Sequence, residues 1–149
     1  MTVKNKKKVQ PVMNSSKRMT LNELCSDAHT AAKKAGWWDR GTEKSALECH
    51  MLIVSEVAEA SEAVRDKLPD FCVLHESGEG MVAVNPQTLL NNLRDIQFWK
   101  PEGEAVELAD AVIRIADWFG HKGWDMEAII KAKMAYNATR GHRHGGKAL

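Results

Sequence analysis

Glu56 and Glu59 stand three residues apart in "SEVAEASEAVRD", and Glu107 and Asp110 repeat that spacing in "EAVELADAVIRIADWFG". On a helix, positions i and i+3 are neighbours on one face, so each pair presents two carboxylates side by side. One such pair is common on solvated helices. Two pairs on the two most apolar stretches of a short chain are a different matter. If those helices lie together, four carboxylates converge in a partly dry site. Like charges that close raise one another's pKa and oppose folding unless a cation neutralises them. Carboxylate oxygens without Cys or His suit a hard ion, Mg²⁺ or Mn²⁺, and the usual partner of such an ion is phosphate.

The second stretch carries a longer polar seam. Glu107, Asp110, Arg114 and Asp117 fall at i, i+3, i+7 and i+10, one narrow stripe on a helix that is otherwise almost wholly apolar from Ala105 to Phe119. A surface helix usually leaves a broad solvated face. A thin charged seam on a greasy helix implies that something fills the seam. Donors for an anion sit near the end of the chain. Lys133, Asn137 and Arg140 share one helical face with Tyr136 alongside, and His144 and Lys147 follow on a glycine-rich tail that could close over a ligand.

Together "LIVSEVAEASEA", "ELADAVIRIADW" and "KMAYNATRGHRHGGK" resemble the MazG-like all-α nucleoside triphosphate pyrophosphohydrolases, whose motif is Glu-x-x-Glu followed by Glu-x-x-Asp. The resemblance covers roughly residues 27–147, least clearly between about 68 and 100. It implies hydrolysis of a nucleoside triphosphate to the monophosphate and pyrophosphate, with Mg²⁺ held by Glu56, Glu59, Glu107 and Asp110. It also implies a dimer or tetramer, and a base stacked near the first helix, where His29, Trp37 and Trp38 stand. In that scheme Lys133 and Arg140 stabilise charge on the phosphate oxygens, and Glu59 or Glu56 orients the attacking water.

These residues need helices to hold them. "TLNE" at Thr20 is a capping box that should open a first helix running to Gly36. "WWDRGT" reads as a loop. A long second helix is expected from about Glu43 to Lys67, with two apolar stripes that make it central to a bundle, and Pro69 ends it. "FCVLH" and "MVAVN" around "ESGEG" suggest a short hairpin, and residues 86–98 a short helix. "KPEG" then punctuates the entry to the greasy helix, which Gly120 and Gly123 should close. Asp125 should cap a last helix reaching about Thr139. The expected fold is all-α: about four main helices with a small irregular or hairpin insert, a mobile basic arm over residues 1–18, a domain over 19–149 and a flexible tail from 141.

The 149 residues suffice for one domain, and a net charge of +1 implies no strongly polyanionic partner, so no nucleic acid is expected. Three cysteines in no metal-binding spacing fit reduced thiols in a cytoplasmic setting, and no apolar run is long enough to span a membrane. Two greasy helices in so small a chain imply a homo-oligomer that buries their outer faces. The alternative from another class is a non-catalytic helical scaffold or nucleotide-binding interaction protein. A di-iron bundle would require Glu-x-x-His, which this chain lacks.

Overall fold

Thr20 opens the first helix as its sequence requires. Its hydroxyl accepts the Glu23 backbone N–H at 3.1 Å, and the Glu23 carboxylate accepts the Thr20 N–H at 2.9 Å. Two of the orphan donors at the helix start are thereby satisfied. Helix α1 spans Leu21–Lys34. The same reciprocal arrangement of Ser45 and Glu48 opens α2, Ala46–Arg65. This second box was equally visible in the sequence, and it sets the start of α2 three residues later than the apolar pattern suggests. The structure, a computed structural model, describes residues 18–41, 44–75, 80–91 and 96–140. The expected arm up to residue 17 and the tail from 141, with His144 and Lys147, lie outside the described residues.

The insert is more ordered than expected. Strand β1 (Cys72–His75) pairs antiparallel with β2 (Met81–Ala83), which is the hairpin expected around "ESGEG". A third strand, β3 (Trp99–Glu102), pairs antiparallel with the other side of β1. The sheet order is therefore β2-β1-β3. The fold is mostly helical, roughly as expected, and the insert forms a small three-stranded sheet. "WKPE" reads poorly as a strand because proline donates no ladder hydrogen bond, and it is tolerated here because β3 is an edge. Between β2 and β3 lie α3 (Pro86–Asn91) and a 3₁₀ turn at Ile96–Phe98.

Strand β3 runs directly into α4, Glu104–Lys122, through Gly103. The corner has room only for glycine: φ is 114° and an added Cβ would stand 2.3 Å from the Pro69 carbonyl oxygen. No side chain caps α4; instead the Asp70 carbonyl accepts the Ala105 N–H at 2.9 Å. The chain just beyond α2 thus pins the start of α4, and with it Glu107. Helix α4 ends at Gly123 in the left-handed conformation. Asp125 then caps α5, Met126–Ala138, as expected.

Helix α4 packs against both α1 and α2, so it is the central element; α2 packs mainly on α4. One apolar stripe of α2 has no partner among the described residues. Leu47, Met51 and Val54 are 76%, 63% and 54% exposed. The core proper lies where α1, α4 and the start of α5 meet, around Cys25, Ala28, Ala116 and Met126, with Leu24, Ile115 and Phe119 against it. All three cysteines are free. Among the described residues no helix is long and apolar enough to cross a membrane.

Gly120 does not close α4 but lies inside it. Its absent side chain lets α1 come close: an added Cβ would meet the Cys25 carbonyl oxygen at 2.4 Å and His29 Cβ at 2.7 Å. Backbone cannot yield as a flexible side chain can. Gly120→Ala should therefore destabilise the protein by about 1–3 kcal/mol through overpacking, despite alanine's better helix propensity. A denaturant midpoint equal to or above that of the unaltered protein would show that α1 and α4 are not in that contact.

Candidate metal centre

Where α2 crosses α4, the two acidic pairs meet. Glu56 and Glu59 project from α2, and Glu107 from the first turn of α4, so that ligand oxygens of all three lie within 4.8 Å of one another. Glu56 is buried, Glu107 half-buried and Glu59 exposed. Asp110 stands one turn further along α4. Burial and the nearby Glu56 push its carboxyl above the ordinary range, outweighing Arg114 and Lys100. The Glu107 carboxyl is also raised, first by burial and then by Glu102, Glu59, Asp110 and Glu56. The expected convergence of four carboxylates is present, with three in a tight triangle and the fourth beside it.

The structure adds a fifth acid and two cations. Glu102, at the end of β3, faces the cluster closely enough to be the largest charge acting on Glu107. Lys100 on the same strand is ion-paired to Glu102. Arg114 donates from Nε to Glu56 Oε1 at 2.5 Å. Glu102 was hidden in a stretch that reads as punctuation. The available signal was its place immediately before Gly103 and five residues ahead of Glu107. Arg114 was visible in the seam, but nothing in the sequence named Glu56 as its partner.

The seam continues toward a cleft. A cavity of about 370 Å³ is lined by α1 alanines, Trp37, Trp38, Lys44, Cys49, Leu52, Ile113 and Trp118, and by three members of the seam: Asp110, Arg114 and Asp117. Its wall is mostly apolar, with charge at one edge, a common composition for small-molecule sites of this size. Asp117 organises that wall. Its carboxylate accepts the Trp38 Nε1–H at 3.0 and 3.1 Å, and its Oδ1 lies 2.8 Å from His29 Nδ1. The Trp38 ring also stacks on His121 at 4.0 Å between centroids. Trp37 lies under the Lys44 ammonium, 4.2 Å from its centroid. The expected trio of His29, Trp37 and Trp38 is thus gathered: both tryptophans line the cleft, and His29 supports it from behind through Asp117.

The expected phosphate donors are not brought to the cleft. Helix α5 leans on α1 through its first turns, where Leu21 and Asn22 meet Glu127 and Asp125. None of Lys133, Tyr136, Asn137 and Arg140 lines the cavity. Lys133 Nζ lies 5.1 Å over the Tyr136 ring instead. Asn137 Oδ1 is buried with no hydrogen-bond partner among the described residues. Arg140 lies beyond the end of α5, so only Lys133, Tyr136 and Asn137 are carried by the helix; helical periodicity held no information about which way it points.

The crowding has a pH signature. A carboxyl whose folded pKa is raised binds its proton more tightly in the fold, so its contribution to stability is lost as pH rises through that pKa. In chelator, Asp110→Asn should be more stable than the unaltered protein at about pH 8, and the advantage should shrink as the pH falls and vanish only below the ordinary aspartate pKa of about 3.9, where the carboxyl is protonated in both states. The comparison cancels His121, whose ring is held below its ordinary value mainly by burial and so weakens the fold in acid. Thermal melts of both proteins across pH measure it, and an advantage that grows on acidification would contradict the crowding.

No family model matches the chain, and neither a curated protein nor a solved structure does.

Proposed function

We propose that this protein is a Mg²⁺- or Mn²⁺-dependent nucleoside triphosphate pyrophosphohydrolase, releasing the monophosphate and pyrophosphate. The observation that carries the reading is the continuity of the α2–α4 carboxylate cluster with an aromatic-walled cleft through Asp110 and Arg114. Three carboxylates within reach of a single hard cation form a donor set suited to Mg²⁺ or Mn²⁺. The cleft beside them has the volume and the flat walls to hold a nucleoside. The motif resemblance points the same way.

Glu56, Glu59 and Glu107 would hold the ion, with Asp110 at its cleft side. A divalent ion bound there supplies charge neutralisation and a more acidic water. Among the three, Glu59 is the exposed one, and it would take a proton from the attacking water. Asp117 holds Trp38 as a wall for the base. The position of α5 away from the cleft is the observation that favours the alternative, a protein that binds nucleotide without turning it over.

A panel of triphosphates incubated with Mg²⁺ separates the two. Pyrophosphate and a monophosphate are expected as first products; diphosphate plus orthophosphate, or binding without turnover, would overturn the proposal. Glu59→Gln should lower kcat by roughly 10²–10⁴-fold, the usual worth of a general base, and leave a folded protein whose melting point holds or rises.

We infer further that the protein works as a homo-oligomer, at least a dimer. The α2 stripe of Leu47, Met51 and Val54 and the α4 residues Leu108 and Val112 are all substantially exposed in the single chain. Apolar surface of that extent is seldom left in water. Light scattering at micromolar concentration should give a mass of at least two chains, and Met51→Glu should shift it toward one. An active monomer would refute the assembly.

A further inference from the structure

Arg114 occupies the boundary between the acidic cluster and the cleft. It is paired with the most buried carboxylate of the cluster, Glu56, yet it also lines the cavity. Its guanidinium carbon lies 6.0 Å from the Trp37 ring centroid, on the cleft side. Five carboxylates face two cations here, and Lys100 is already taken by Glu102. Arg114 is therefore the charge that makes a buried Glu56 tolerable while no other cation is present. The contact runs through Nε. The two terminal amino groups, the fork that grips a phosphate in bidentate fashion, make no hydrogen bond among the described residues.

Resting on the metal reading above, we propose that Arg114 is a resident counter-cation that gives up Glu56 when a divalent ion binds and then serves as a phosphate donor at the mouth of the cleft. Three features favour exchange over a permanent bond. A divalent ion brings twice the charge to the same oxygens, and two cations competing for one carboxylate repel each other. The Arg114 side chain is one-third exposed, so it can leave without crossing the core. The Trp37 face offers the released guanidinium a cation–π resting place on the way to the cleft. The other basic residue of the cavity, Lys44, lies over Trp37 at 4.2 Å and is ion-paired to none of the cluster acids. The α5 donors lie elsewhere. Among the described residues Arg114 is the cation that touches both halves of the site.

The proposal inverts the usual expectation for a charged residue in a site, because removing Arg114 should improve one ligand and impair another. Calorimetric titration with Mn²⁺ alone should show Arg114→Met binding the ion about tenfold or more tightly than the unaltered protein, with Arg114→Lys close to unaltered. With Mn²⁺ saturating, a triphosphate whose α,β bridge is an imido group should bind Arg114→Met about tenfold or more weakly. Equal or weaker Mn²⁺ binding by folded Arg114→Met would make Arg114 a fixed prop and overturn the exchange. Tighter Mn²⁺ binding with unchanged nucleotide affinity would overturn the donor role. Should the variant fail to fold, the unaltered protein decides. The Arg114 Nε–H resonance, displaced by its carboxylate partner, should move toward the free-arginine position as Mg²⁺ is added. A resonance that stays fixed while calorimetry shows Mg²⁺ bound sinks the inference but spares the metal centre; absence of any divalent binding sinks both.

Discussion

Glu56 is a carboxylate withdrawn almost entirely from water, and the way α2 meets α4 depends on how that charge is satisfied. An isolated buried carboxylate is costly enough that it normally takes up a proton or finds a partner. Here the partner is Arg114, one helix away, so a single ion pair joins the two helices at their crossing. Around it Glu59, Glu107, Asp110 and Glu102 are drawn close, and burial first, then that proximity, raises the carboxyl pKa values of Glu107 and Asp110. The cluster is thus held together by helix packing and against its own electrostatics. Such a site is stabilised by any cation that fits it, which connects its folding to its chemistry.

Helix α4 links every part of this arrangement. Its start is held by Gly103 and the Asp70 carbonyl, which fixes where Glu107 sits. Further along, Asp110 and Arg114 border both the cluster and the cleft, and Asp117 reaches the other way to hold Trp38 and His29. Gly120 lets α1 approach closely enough to form the opposite wall. One polar seam on an apolar helix thereby serves two neighbours at once. That is why the seam is thin: a carboxylate or guanidinium is kept only where α1, α2 or the cleft gives it a partner. The apolar residues on the remaining face, Leu108 and Val112, and the outer stripe of α2 stay exposed among the described residues.

Much of this could be seen in the residues alone, because it is local. Capping boxes at Thr20 and Ser45, the cap at Asp125 and the glycine stop at Gly123 act over three or four residues and mark helix ends directly. Helical spacing likewise puts Glu56 beside Glu59 and Glu107 beside Asp110 without reference to anything distant. The grouping of His29 with Trp37 and Trp38 was implied by the family resemblance alone, and it runs through the distant Asp117.

Tertiary structure alone decided which faces meet. Two apolar stripes on α2 suggested a central helix, but hydrophobic periodicity counts faces and does not say whether the partner lies in the same chain; α4 took the centre. Strand β3 escaped notice because its pairing with β1 spans some thirty residues, and with it went Glu102 and Lys100. The Glu56–Arg114 pair is separated by 58 positions and exists only because the α2–α4 crossing brings it about. Lys133, Tyr136 and Asn137 show the converse: their spacing is a property of the helix, whereas its direction is set by how the first turns of α5 dock on α1. Short-range hydrogen bonding and helical periodicity are written in consecutive residues; the angle at which two helices cross is a property of both surfaces together, and no stretch of the chain carries it alone.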